Sequence, residues 1–165
     1  TRRKEIDRKT TNVSGIFSYL QEIYDETKNP EDGRVKVDIC WEKGELYAEE
    51  NLLKTVLINL TDNAIKASEE GQTVEITGRR MENGYYFQVR DEGIGIPEEE
   101  LQKVTEAFYM VDKSRSRAHN GAGLGLALCT AILELHHSRL KIESTLGLGS
   151  CMSFLIPDEG VNADE

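Results

Sequence analysis

Two asparagines and a lysine recur at helical spacing in Asn59-Leu-Thr-Asp-Asn63-Ala-Ile-Lys66. Residues at i, i+4 and i+7 share one helix face, so Asn59, Asn63 and Lys66 stand together, at the border of an apolar stripe rather than opposite it. Amide oxygens are hard ligands suited to Mg²⁺, a cation that keeps several waters and bridges phosphates, and a lysine offsets phosphate charge. Asparagine inside a helix is less favourable than alanine by roughly a few tenths of a kcal/mol, so a pair in register suggests a use beyond propensity. The plain alternative is a solvated or capping pair.

Two glycine-rich blocks follow. Asp91-Glu-Gly93-Ile-Gly95-Ile-Pro97 comes directly after a predicted strand. Its glycines let a flat ring approach the backbone, and a carboxylate at a strand end accepts a hydrogen bond from an exocyclic amine. Adenine carries that amine where guanine presents a carbonyl; an acidic polar turn is the alternative reading. Gly121-Ala-Gly123-Leu-Gly125-Leu precedes a predicted helix, where glycine N–H groups and the helix N-terminus both attract anions. A hinge or tight helix–strand packing would also use these glycines. With Phe108-Tyr109 between them, the blocks form complementary parts of one ATP pocket. Other nucleotide motifs are excluded by residue: Leu126 stands where a dinucleotide fingerprint needs glycine, and no Gly-Lys-Ser/Thr phosphate loop occurs. Asp91-Glu92-Gly93 is not preceded by the His-Arg-Asp loop of protein kinases.

The elements that must position these residues follow from apolar period. Val13, Ile16, Phe17, Leu20, Ile23 and Tyr24 predict an amphipathic helix with Asn12 as N-cap, ended by Asn29-Pro-Glu-Asp-Gly33. Val35, Val37 and Ile39 alternate as a strand, and Leu46-Tyr-Ala48 forms a second short one. Leu53, Val56, Leu57, Leu60, Ala64 and Ala67 predict a helix from about Glu49 to Ser68. Asn83-Gly84 joins strands Val74–Arg80 and Tyr85–Arg90 as a hairpin. A short acidic helix is expected from Pro97 through Leu101, then a basic loop from about Ala107 to Asn120. A helix Leu124–Leu135 and strands near Leu140–Ser144 and Cys151–Ile156 close the sheet. No internal repeat is visible. Residues 1–157 are read as one domain and the acidic stretch 158–165 as a disordered tail.

Bulk properties bound the function. At 165 residues, 38% hydrophobic and 30% charged, the chain has room for one core. A net charge of −10 argues against nucleic acid, which is bound through clustered lysine and arginine. No apolar run approaches the roughly 18 residues of a membrane span, and the start Thr1-Arg-Arg-Lys4 leads into no signal-peptide core, so the chain is expected to be soluble, without direct membrane contact. Cys40, Cys129 and Cys151 have no metal-ligand spacing and fit a reducing compartment.

Taken in order, the blocks resemble the catalytic ATP-binding domain of bacterial sensor histidine kinases, in the superfamily shared with DNA gyrase, MutL and the ninety-kilodalton heat-shock chaperone. Asn59–Lys66 looks like its N box, Asp91–Gly95 its first glycine box, Phe108-Tyr109 its F box and Gly121–Gly125 its second glycine box. The resemblance covers nearly the whole chain. It implies an α+β fold, a two-layer sandwich with a mixed, mostly antiparallel sheet and helices on one face. It also implies that Asn63 binds Mg²⁺, that Asn59 and Lys66 act at the phosphates, and that Asp91 holds the adenine amine. Gly93, Gly95, Ile96, Phe108, Tyr109, Gly121, Gly123, Leu124 and Gly125 would complete the ATP site. Lys113, Arg115 and Arg117 would lie on a lid running from Tyr109 to Asn120.

Hydrolysing members of that superfamily carry glutamate where this chain has Asn59, and a carboxamide cannot take a proton from water at neutral pH. The expectation is γ-phosphate transfer to a histidine on a separate dimeric acceptor domain, with a response regulator as indirect partner. The chain's own histidines lie in no acceptor motif: His119 is read as lid, and His136 and His137 as helix-end residues that favour the C-terminal dipole. Where the family usually has His-Gly-Gly this chain has His136-His137-Ser138, so the turn is expected to differ, and Ala122 replaces a common threonine. The basic start resembles the end of a preceding helix and linker. The resemblance implies a cytoplasmic domain of a membrane-anchored protein. An anti-sigma-type serine kinase and a non-enzymatic ATP-dependent binding module are the alternatives.

Overall fold

Apolar residues two apart on five strands line up across one sheet, and two of the helices close over that face. The computed structural model describes residues 5–25, 35–95 and 120–161. Its elements run β1 (Lys9–Asn12), α1 (Val13–Ile23), β2 (Lys36–Trp41), β3 (Glu45–Ala48), α2 (Glu50–Ala67), β4 (Thr73–Arg80), β5 (Gly84–Asp91), α3 (Asn120–Leu135), β6 (Lys141–Thr145) and β7 (Gly149–Pro157). The main sheet has the order β2-β4-β5-β7-β6. Only β2 and β4 run parallel; the other three pairings are antiparallel. This is the α+β sandwich implied by the resemblance. The short helix expected after Pro97 lies outside the described residues.

Register explains the core. Ile39, Ile76, Val89, Met152 and Ile142 face one another strand by strand, and Trp41, Gly78, Phe87 and Phe154 form the next row. Phe17 from α1 fills the space over Gly78. It stacks on Trp41 at 5.0 Å and on Phe87 at 5.7 Å, and a Cβ on Gly78 would come within 2.5 Å of its ring. Aromatic pairs at these separations add to the area they bury. Val13, Ile16, Phe17 and Leu20 of α1 and Leu53, Val56, Leu57 and Leu60 of α2 are all buried, as their helical spacing predicts. Asn12 caps α1, accepting from the Ser14 N–H at 2.8 Å.

Three features depart from the sequence reading. A strand absent from it, β1, pairs antiparallel with β3 in a separate two-stranded sheet. Asp158, assigned to the acidic tail, forms a two-pronged ion pair with Arg80 and donates its N–H to the Asn83 carbonyl. The third concerns the end of α3. His136 is fully buried rather than a charged end group, and burial holds its imidazole below the ordinary range. His137 adopts φ 58°, and its N–H and that of Ser138 return to the Glu134 and Leu133 carbonyls at 3.0 and 2.8 Å. This is a Schellman cap with histidine at the left-handed position that glycine usually fills.

Left-handed backbone costs a residue with a Cβ roughly 1 kcal/mol or more. His137→Gly is therefore expected to stabilise the fold by about 1 kcal/mol, raising Tm by roughly 2–4 °C for a domain of this size. Calorimetry of the two proteins at pH 7.5 checks this; an unchanged or lower Tm contradicts the cap assignment.

Candidate nucleotide site

The amide-bearing residues of the candidate site sit on α2, with Gly93 and Gly125 close against it. Its N-terminus is capped by Glu49, whose carboxylate accepts from the N–H groups of Asn51 and Leu52 at 3.3 and 3.0 Å. Its apolar stripe packs on the sheet and α3, which leaves Asn59 and Asn63 half-buried at the stripe's border and Lys66 exposed. Asn59 donates Nδ2–H to the Thr55 carbonyl at 2.9 Å, one turn back, so its Oδ1 is turned outward from the helix. That oxygen faces α3: a Cβ built on Gly125 would lie 3.4 Å from Asn59 Oδ1 and 3.7 Å from Asn63 Nδ2. The structure thus brings Asn59, Asn63 and Gly125 together.

Gly121, Gly123 and Leu124 lie within the first turns of α3, which begins at Asn120 and not at Leu124 as the sequence suggests. The first N–H groups of a helix have no intrahelical partner, so glycines there forgo little and leave donors free for an anion.

Asp91 ends β5 and is 7% exposed. Its Oδ1 accepts from the Gly93 N–H at 2.8 Å and the Ser150 N–H at 3.3 Å, and both of these bonds go to the one oxygen. Burial pushes the carboxyl above the ordinary aspartate range, and the two N–H bonds oppose that shift. Gly93 has no room for a side chain: a Cβ would come within 2.1 Å of the Ala67 carbonyl at the C-terminal end of α2. The Ile94 N–H also donates to that carbonyl at 3.3 Å. Gly95, at φ 75°, lies against the β6–β7 turn, where a Cβ would meet the Thr145 carbonyl at 2.2 Å. Ile96, Phe108, Tyr109, Lys113, Arg115 and Arg117 lie outside the described residues.

Two contributors escaped sequence reasoning. The Ser150 N–H that holds Asp91 is a backbone group with no signal in side-chain pattern. Tyr24, read as the last member of an apolar stripe, donates its hydroxyl to Asp62 Oδ1 at 2.9 Å, pinning α1 to α2 between Asn59 and Asn63. A tyrosine closing an apolar stripe was the available clue, because its ring packs with the stripe while its hydroxyl seeks a polar partner at the border.

The chain belongs to the histidine kinase-, DNA gyrase B- and HSP90-like ATPase family, whose profile matches residues 48–160. Within it, the chain is an ATP-binding domain of the sensor-histidine-kinase kind. It is 42% identical over 112 residues to the circadian input-output histidine kinase CikA of Synechococcus elongatus, covering 68% of this chain and 15% of CikA. The phosphate regulon sensor protein PhoR of Haemophilus influenzae is also 42% identical over 112 residues, covering 68% of this chain and 26% of PhoR. The catalytic domain of histidine kinase ThkA superposes with a TM-score of 0.74 at 26% identity, covering 93% of this chain and 97% of that domain. The chain therefore matches a whole catalytic domain but only about a quarter or less of these curated relatives.

The two glycine blocks are expected to respond differently to one added methyl. Gly93→Ala drives a Cβ into the Ala67 carbonyl and should cost about 1–3 kcal/mol or more. Gly125→Ala meets only ordinary contacts and gains helix propensity, so its unfolding free energy should change by less than about 1 kcal/mol. Paired urea titrations followed through the single tryptophan, Trp41, measure both; equal losses would show that Gly125 is packed as tightly as Gly93.

Proposed function

We propose that this domain binds ATP with Mg²⁺ and presents the γ-phosphate to a histidine on a separate, dimeric acceptor domain, from which a response regulator is later phosphorylated. The observation that carries this reading is the meeting of Asn59 and Asn63 with Gly125 at the start of α3. A row of hard amide donors there faces a helix N-terminus suited to phosphate. Asp91 supplies the base-recognition end, with Oδ2, which accepts no hydrogen bond among the described residues, as the acceptor for the adenine amine.

The residues fit a magnesium ion. Asn63 Nδ2 is buried without a hydrogen-bond partner among the described residues, and a half-turn of the amide exchanges it for Oδ1. An amide so placed suits an ion that takes few protein ligands and keeps its waters. Among the described residues no group of three or more His, Cys, Asp or Glu is gathered for a metal, so Asn63 is the ligand we assign. When bound, Mg²⁺ neutralises phosphate charge and orients the phosphates. Asn59 and Lys66 position the γ-phosphate, Lys66 as an exposed cation one turn beyond Asn63 and Asn59 as an uncharged group where hydrolysis would need a base. The lid role of Lys113, Arg115 and Arg117 is part of the same proposal. The solved complex of ThkA with the response regulator TrrA, matched at a TM-score of 0.69 and 26% identity over 92% of this chain, supports the regulator as eventual partner. The cytoplasmic placement of the domain in a membrane-anchored protein is proposed on the same kinship. Among the described residues no helix is long and apolar enough to cross a membrane.

Removing the base contact gives the first test. Asp91→Ala is expected to weaken ATP binding about 10- to 100-fold, the worth of roughly 1.5–3 kcal/mol for a hydrogen bond to a charged acceptor. Titration calorimetry that finds the same Kd for both proteins would remove Asp91 from the site.

The acceptor gives the second. Mixed with labelled ATP and a separately made dimeric acceptor hairpin, the chain should place label on histidine, in an acid-labile and base-stable linkage, while releasing little phosphate by itself. Label on a protein serine would favour the anti-sigma-type reading, and no transfer would favour a binding module. Rapid phosphate release by the isolated chain would contradict the role given to Asn59.

A further inference from the structure

Among the described residues, two fully buried titratable side chains link the two helices that form the site: Cys129, whose thiol donates to the Val56 carbonyl at 3.6 Å, and His136, which reaches the cap of α2. Both ring nitrogens of His136 are engaged. Nδ1 lies 2.9 Å from the Ile132 carbonyl, one turn back in α3, and Nε2 lies 3.1 Å from the Glu49 N–H, at the cap of α2. A carbonyl only accepts and a backbone N–H only donates, so the ring must carry its proton on Nδ1 and a lone pair on Nε2. The neutral tautomer is fixed by its two partners, and it joins the C-terminal end of α3 to the N-terminal end of α2.

Those helices hold the facing walls of the site, Asn59 and Asn63 on one and Gly125 on the other. Glu49 has its side chain committed to Asn51 and Leu52, so its own N–H depends on His136. We propose that His136 is a positioning residue that sets the spacing between α2 and α3, and that its protonation releases α2 and weakens ATP binding. This rests on the ATP reading above and assigns that site a dependence on proton concentration.

Protonation would place an N–H on Nε2 directly against the Glu49 N–H, and a positive charge at the positive end of the α2 dipole. The charged groups facing the ring are Arg8, before β1, Glu49, on the α2 cap, and His137, in the turn after α3. Burial is the largest influence and favours the neutral ring; the Ile132 carbonyl and Glu49 oppose it, Arg8 and His137 reinforce it, and the net direction is toward the neutral ring. The sign of the effect follows. A folded-state value depressed below the unfolded one keeps its stabilising contribution above the ordinary histidine range, about 6.5, and loses it as pH falls below that range.

The test uses the full 165-residue chain and its His136→Gln variant, in which an amide can still accept from Glu49 and donate to Ile132 but does not titrate. ATP affinity is measured by calorimetry from pH 7.5 to 5.5, and the His136 ring is followed by NMR in the wild type. The expected result is near-equal affinity at pH 7.5, with the wild type losing about fivefold or more relative to the variant by pH 5.5. Asp91 and the nucleotide phosphates titrate in both proteins and cancel in that ratio. Coincident pH profiles, or a wild-type ring that titrates at or above about 6.5 while ATP stays bound, overturn the proposal and leave the ATP reading intact. If the variant does not fold, the wild-type ring titration decides alone: loss of ATP together with ring protonation below that range supports the latch. A wild-type chain that binds no ATP at pH 7.5 overturns the ATP reading, and the latch with it.

Discussion

Close approach of backbone to backbone around Asp91 is the constraint on which the site depends. The chain leaves β5 at Asp91, turns against the end of α2, and is crossed by the turn between β6 and β7. A Cβ at Gly93 would lie 2.1 Å from the Ala67 carbonyl, and one at Gly149 2.2 Å from the Asp91 carbonyl. Neither position tolerates a side chain. What this proximity gains is a carboxylate held by the Gly93 and Ser150 N–H groups, in a place where a side-chain donor would compete with a ligand. The hydrogen bond from the Gly147 N–H to the Ile94 carbonyl, at 2.7 Å, ties the same two loops a second time.

Such a carboxylate works against folding. Desolvation raises its proton affinity, and two N–H bonds to one oxygen return only part of the lost hydration. The linkage sign is the reverse of that for an ion-paired aspartate: a raised folded-state value means that stability grows as pH falls through it. The domain thus keeps a buried charge that makes its ligand-free form less stable at neutral pH. A ligand that donates to Oδ2 offsets that cost, and binding energy then becomes folding energy.

Much of this was legible before any coordinates. The helix of Asn59 and Asn63 and the hairpin at Asn83-Gly84 announced themselves through period and turn chemistry, and both stand where expected. The relations that complete the site were less visible, because they are tertiary. Lys9-Thr-Thr-Asn12 has no apolar alternation, and it becomes a strand only because β3 lies beside it. The parallel pairing of β2 with β4 requires a crossover past β3 and α2, which no local pattern specifies. His136 shows the limit most sharply. Its position after a helix suggested a charge meeting a dipole, but its partners 87 residues away and one turn back make it a neutral strut.

The strut and the glycine turn act on opposite ends of one rigid element. His136 fixes the Glu49 cap, while Gly93 and Ile94 receive the Ala67 carbonyl, and 18 residues of helix lie between. Tyr24 adds a further fastening in the helix's C-terminal half, at Asp62, and Cys129 another at the Val56 carbonyl. A helix held at several points transmits displacement along its length instead of bending, since its own hydrogen bonds resist local change. The amide face of Asn59 and Asn63 is consequently placed in part by His136 and Tyr24, which lie outside the predicted ATP site. On the ATP reading proposed above, substitutions at His136 or Tyr24 alter binding through geometry alone, and side chains at the proposed pocket are only part of what sets its affinity.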